Sequence, residues 1–393
     1  MDNISPVKRT ELKSLKKLAD TCFPSEMKYG GIFKSWPHCY RNKTLQNNLV
    51  IRKNGKITGH TGCIPLNLIV DKHEIPIAGI SGVSTAPELR GHGIMGTLLN
   101  YCSEKMEHDN IAFSFLGGDR QRYNRYGWEN AGRQWVFTIT NRSLITLKNF
   151  NKNKIVNFKV SDSGINRINE INNTEYSYIQ RTHEYSKILF NRTGIETLCY
   201  IDNNKILAYA VVPGLDFKSG TKNCSISEFG SINNDTDVFL LHIIEYLLKV
   251  RAYETVTIYT PYYHRTNKTL LNNSASWQLS YRCMFKIINL KLLLNGFLHQ
   301  IRNKYLRSGI KTGSDITLQV QNTQQQITLC FTKTNVYLTD KPAPTKFVFT
   351  DLEIPVFLFG PVLPSGIINP GKLSVLLNTV FPLDFYISHH NGV

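Results

Sequence analysis

The sequence predicts an α/β (α+β) chain of mixed sheets flanked by helices, ending in a smaller α+β module. Three observations predict it. Strand and helix signals alternate through the first third, a strand–turn–strand unit recurs in the middle, and the texture changes beyond Arg282. In the first third, Leu12, Leu15 and Leu18 fall at helical spacing. Residues 49–51 and 57–63 read as strands joined at Asn54-Gly55, a pair suited to the positive φ of a tight hairpin turn. Residues 66–70 and 75–85 read as two further strands, turning near Lys72-His73. After Pro87 a helix opens near Gly93, with Ile94, Leu98, Cys102 and Met106 on one face. Residues 111–116 form a short apolar run typical of a buried strand.

Residues 198–206 echo residues 49–57: both are strand–turn–strand units restarting at Lys-Ile. A strand over 225–229, a helix over 238–250 and a strand over 255–259 continue the echo. The second copy has Asn233, Asn234, Asp235 and Thr236 where the first has a glycine-rich turn. A duplicated fold that lost one turn fits this pattern; two hairpins alike by chance is the other reading. Beyond Arg282, residues 284–290 lead into a helical stretch to 306. Strands over 316–320, 326–331 and 335–339 follow, then a Pro/Gly-punctuated tail from Pro342.

A chain of 393 residues favours two or three domains. Its 46 Lys+Arg against 29 Asp+Glu give a formal charge of +17, a field that attracts anionic partners and opposes a polycationic one. The basic residues are dispersed in short pairs such as Lys16-Lys17, so nucleic acid is not an expected partner. There is no apolar leader, no run long enough to cross a bilayer and no close Cys/His cluster among the eight cysteines. The expectation is a cytoplasmic protein with reduced thiols, no metal and no membrane partner.

Residues 80–96 carry the chemistry. A strand ends near Pro87, a turn with Gly91 and Gly93 follows, and a helix begins. Inward-pointing N–H groups of such a turn, with the helix dipole and Arg90, make a cradle for pyrophosphate. Arg90-Gly91-His92-Gly93-Ile94-Met95 resembles the Arg/Gln-x-x-Gly-x-Gly/Ala loop of GNAT acetyltransferases. Met95, where a small residue is usual, matches the enhanced intracellular survival (Eis) branch. Downstream, Tyr123-Asn124-Arg125-Tyr126-Gly127-Trp128 resembles that branch's aromatic closing motif.

The resemblance implies two tandem GNAT folds and a sterol-carrier-protein-like domain, at residues 1–145 (catalytic), 146–282 (degenerate) and 283–393. It implies acetyl-CoA as cosubstrate, bound by Val83, Ser84 and Thr85, by Arg90, Gly91, His92, Gly93, Ile94, Met95 and Gly96, and by Gly118 and Asp119. It implies acetyl transfer to a primary amine: a small molecule, an aminoglycoside-like compound or a lysine side chain. Tyr123 would be the general acid and the terminal carboxylate of Val393 the base; a homo-oligomer is compatible with it. Protonation of a thiolate (pKa ~8.5) by a tyrosine (pKa ~10) is uphill by about 2 kcal/mol, small enough for acid catalysis. His38, His60 and His92 are the other candidate bases, although an isolated histidine is more often structural. The alternative is a non-catalytic acyl-CoA- or lipid-binding protein using the same fold.

Overall fold

The computed structural model describes residues 4–145, 147, 150–213, 222–232, 235–310 and 313–393. Met1, Asp2 and Asn3, boundary residue 146, and Asn233 and Asn234 of the second-copy turn lie outside the described residues.

The first unit runs β1 (Ser5–Pro6), α1 (Leu12–Cys22), α2 (Ile32–Ser35), β2 (Asn48–Lys53), β3 (Lys56–Val70), β4 (His73–Thr85), α3 (Ile94–His108) and β5 (Phe113–Leu116). It continues with α4 (Arg120–Tyr123), β6 (Glu129–Ala131) and β7 (Gln134–Thr140). Asn54 (φ 50°) and Gly55 (φ 74°) turn β2 into β3, as the Asn-Gly pair predicts. The two strands expected over 57–63 and 66–70 are one strand, β3, running through Pro65. Proline is tolerated there because β3 has β4 alone as its neighbour at that position. The turn after β3 falls at Asp71-Lys72, both at positive φ, one residue earlier than expected.

β1 through β5 pair in chain order. The strand Cys283–Ile287 then lies between β5 and β6, antiparallel to both. β7, in turn, pairs with Thr255–Pro261 and Ser276–Ser280 of the second unit. The units therefore exchange strands across the boundaries expected at 145/146 and 282/283. Ile94, Leu98, Cys102 and Met106 are buried against β2–β5, as the helical face predicts.

The hairpin–strand–helix–strand order occurs twice. Ile195–Asp202 and Lys205–Pro213 form the second hairpin, turning at Asn203-Asn204, both at positive φ. The strand expected over 225–229 breaks at Ser227 into Asn223–Ile226 and Glu228–Ser231, which join different sheets. The helix Thr236–Glu245 follows, then Thr255–Pro261, parallel to Asn223–Ile226. The last unit packs the helix Leu290–Ser308 and two shorter helices on a four-stranded sheet, and shares one large phenylalanine-rich core with the first sheet.

Candidate active site

Two features of β4 shape the site. First, His60 pairs with Ser84 and Gly62 with Ser81, so β4 bulges at Gly82-Val83. Gly82 has φ +55°, and a Cβ there would stand 2.0 Å from the Tyr40 hydroxyl oxygen. His60 Nδ1 lies 2.8 Å from the Gly82 carbonyl oxygen, and its Nε2 lies 3.0 Å from Asn48 Oδ1. Second, β4 pairs in parallel with β5 only over Ile77–Gly79. Beyond Gly79 the strands diverge, leaving the β5-facing side of residues 80–85 without a strand among the described residues. Val83, Ser84 and Thr85 lie on this stretch.

The turn into α3 stands beside it. Gly91 (φ +84°) and Gly93 (φ +79°) are left-handed, and a Cβ on either would meet nothing within 4 Å, so both face open space. No side chain caps α3, which leaves the first-turn N–H groups at Ile94, Met95 and Gly96 free for an anion. Arg90 and His92 are exposed, and His92 Nδ1 lies 3.1 Å from the Arg90 carbonyl oxygen. Gly96 leaves room for Tyr126, whose hydroxyl would stand 2.7 Å from a Cβ placed there. Met95, Val83, Tyr123 and Tyr126 pack against one apolar cluster under this surface.

Tyr123 ends α4. Asp119 caps that turn by accepting from Gln121 N–H at 2.9 Å, and Arg120 anchors it through both carboxylate oxygens of Glu129. Gly118 (φ +138°) lies against the Tyr123 ring, where a Cβ would come within 2.9 Å. Burial pushes the Tyr123 hydroxyl above its usual pKa of 10.0.

The last residue arrives from across the molecule. Val393 packs on Gly79, where a Cβ would meet its side chain at 2.3 Å. The tail before it is held throughout. Arg282 donates to the carbonyls of Ile387 and Ser388, and Arg181 donates to Asn391 Oδ1. His38 Nε2 lies 3.0 Å from the Gly392 carbonyl oxygen. Arg181 also forms a buried bidentate pair with Glu228, which accepts from Ser388 and Tyr209 as well. Burial alone would raise the Glu228 carboxyl, but Arg181 outweighs it and holds the pKa below 4.5. Tail residues Tyr386, Ser388 and Asn391 line a small cavity of about 50 Å³ between Glu228-Phe229 and Tyr259.

Of the histidines considered as bases, two are buried and hydrogen-bonded within the fold. Burial pushes the pKa of His38 down to about 3 and that of His60 to about 4. Sequence reasoning missed Gly79 and Gly82, although a glycine inside a strand signals a bulge or a close approach. The eight cysteines are free thiols, and seven are buried.

Residues 3–131 match the model of an acetyltransferase (GNAT) domain. Among curated proteins none matches the chain. Over nearly its whole length the chain resembles solved structures. One is a GCN5-related N-acetyltransferase from Anabaena variabilis (TM-score 0.70, 18% identity, covering 98% of this chain and 100% of that one). Another is a conserved Enterococcus faecalis protein described as a probable N-acyltransferase (0.72, 14%, 98% and 99%). A third is Eis1 of Mycobacterium abscessus (0.67, 10%, 100% of both). At these identities the likeness is one of fold. The chain carries a GNAT acetyltransferase domain over residues 3–131, set within the full-length fold it shares with Eis1.

Proposed function

We propose that the chain transfers the acetyl group of acetyl-CoA to a primary amine by direct attack where β4 and β5 diverge. The observation that carries this reading is a convergence on one gap. The bulge at Gly82-Val83, the Tyr123 ring on Gly118 and Val393 on Gly79 all border it. The uncapped start of α3 supplies a diphosphate site beside them.

In this reading Arg90 and the N–H groups of residues 91–96 hold the diphosphate. The amide-rich pantetheine arm pairs with the free edge at residues 83–85 as an added strand. A backbone N–H near the bulge stabilises the tetrahedral oxyanion. The amine nitrogen bonds to the thioester carbon, the C–S bond breaks, and the thiolate takes its proton from Tyr123. The raised pKa of Tyr123 keeps that proton in place through neutral and mildly alkaline pH. The amine's proton leaves to the carboxylate of Val393. Gly118 and Asp119 shape the cofactor side by seating Tyr123 and starting α4. The acceptor classes are a small-molecule amine, an aminoglycoside-like compound or a lysine side chain. We keep the division at 1–145, 146–282 and 283–393, with strands exchanged across it and the last unit as the sterol-carrier-protein-like domain.

Calorimetry with coenzyme A and release of free thiol from acetyl-CoA test the reading. Tyr123→Phe should lower turnover about 100-fold, as loss of a general acid does, while coenzyme A affinity stays within about threefold. Absence of coenzyme A binding to folded protein would overturn the proposal, and full turnover by Tyr123→Phe would remove that residue's role.

A further inference from the structure

A cleft of about 600 Å³ opens in the edge of the first sheet. Along this edge of β3, β2 pairs as far as Gly62 and the strand Ser177–Ile179 begins at Leu68. Residues 63–66 have no strand beside them on that side among the described residues, the Asn67 carbonyl accepting from the Gln180 N–H, and the cleft fills the gap. Two of its wall residues link it to the proposed site. Ile64, which lines it, is the cross-strand partner of Gly79 and shares an apolar cluster with Val393. His38, a second wall residue, contacts the Gly392 carbonyl.

The chemistry of the wall is one-sided. No Asp or Glu lines the cleft, whereas Arg41 and Arg181 do, with Asn47, Asn67 and Gln180. Arg181 is occupied by Glu228 and Asn391. Arg41 is not. Its Nε and Nη1 are buried with no hydrogen-bond partner. The Glu184 carboxylate stands 3.5 Å from Nη1 and is itself held by Lys43 at 2.7 Å. The Arg41 guanidinium lies over the ring of Tyr185, another wall residue. The Tyr185 hydroxyl and His38 Nδ1 are also buried and without partners. An ammonium-rich ligand would find no carboxylate on the cleft wall, Glu184 beyond it being paired with Lys43 and Arg41, and the overall charge of +17 would repel it. An anionic oxygen would meet the positive charge of Arg41 on the cleft wall, where the buried Nε and Nη1 of Arg41 and the Tyr185 hydroxyl have no hydrogen-bond partner among the described residues.

We propose that the acceptor is an amine that also carries an anionic oxygen group, a carboxylate or a phosphate, and that Arg41 holds this group in the cleft while the amine faces the thioester. This rests on the reading that acetyl transfer occurs where β4 and β5 diverge.

Four amines test it on the wild-type chain: β-alanine, phosphoethanolamine, ethanolamine and spermidine. The expected result is a kcat/KM at least tenfold higher for β-alanine or phosphoethanolamine than for ethanolamine and spermidine. Which of the two leads identifies the anion. Arg41→Gln should reduce this preference about tenfold through KM, and Arg41→Lys should retain most of it. Calorimetry of the same amines on the coenzyme A-loaded chain reads binding even where turnover is slow. Preference for spermidine or ethanolamine, an unchanged preference in folded Arg41→Gln, or no binding of either anionic amine overturns the proposal. Those outcomes with coenzyme A still bound sink the acceptor assignment alone. Failure to bind coenzyme A sinks the underlying reading as well.

Discussion

Val393 occupies the space that a side chain at Gly79 would take, so a terminal residue and a mid-strand glycine are fitted to each other across the whole sequence. If its carboxylate takes the amine's proton, adding two residues after Val393 should lower kcat at least tenfold and leave coenzyme A affinity in place. Unchanged steady-state kinetics would remove the carboxylate from the mechanism. Residues 90–96 and 123–128 stand out in the sequence as candidates because each motif is contiguous. His60 was legible only as a candidate base. Its work is to grip the Gly82 carbonyl, a contact 22 residues away in sequence that spacing alone does not reveal. Arg41 carried no signal at all. Its cleft draws on residues 38–67 and 180–185, which only the sheet brings together.

At the scale of elements, two of the left-handed glycines on the cofactor side, Gly82 and Gly91, separate stability from binding. Gly82→Ala would place a Cβ on the Tyr40 hydroxyl at a φ of +55°, and should cost about 1–3 kcal/mol of stability. Gly91→Ala has the same backbone strain but open space around the new atom. It should cost no more than about 1–2 kcal/mol, yet weaken coenzyme A binding by blocking close approach of the diphosphate. Thermal melts paired with calorimetry distinguish the two, and equal losses in both assays would contradict the assignment. Hairpins turned by Asn54-Gly55 and the face of α3 follow from local pattern, and the structure has them. The fusion of two expected strands into β3 was illegible because Pro65 reads as a break. The missing neighbour that tolerates it is a property of the sheet.

Across the molecule, histidines with depressed pKa values weaken the fold in acid. His38, His60, His242, His389 and His390 all have pKa values pushed down by burial, to about 3, 4 and 2 for His38, His60 and His389. Each is neutral when folded but takes a proton near pH 6.5 when unfolded. Stability is therefore present in full above pH 6.5 and is lost as pH falls from there through the folded values. The melting temperature should drop by about 10 °C or more between pH 7 and pH 5. His60→Gln should flatten part of that slope, and a flat profile down to pH 5 would contradict these burial-driven shifts. The duplication was legible as an echo of two hairpins. The exchange of strands was not, because β7 and Cys283–Ile287 look alike in pattern whichever sheet receives them.

That exchange bears on how the protein is made. While a ribosome is still short of residue 287, β5 and β6 have no strand between them, and β7 waits for Thr255–Pro261. The nucleotide-loop half cannot mature as an early, independent product of translation. A fragment cut at residue 145 would expose raw strand edges and clump.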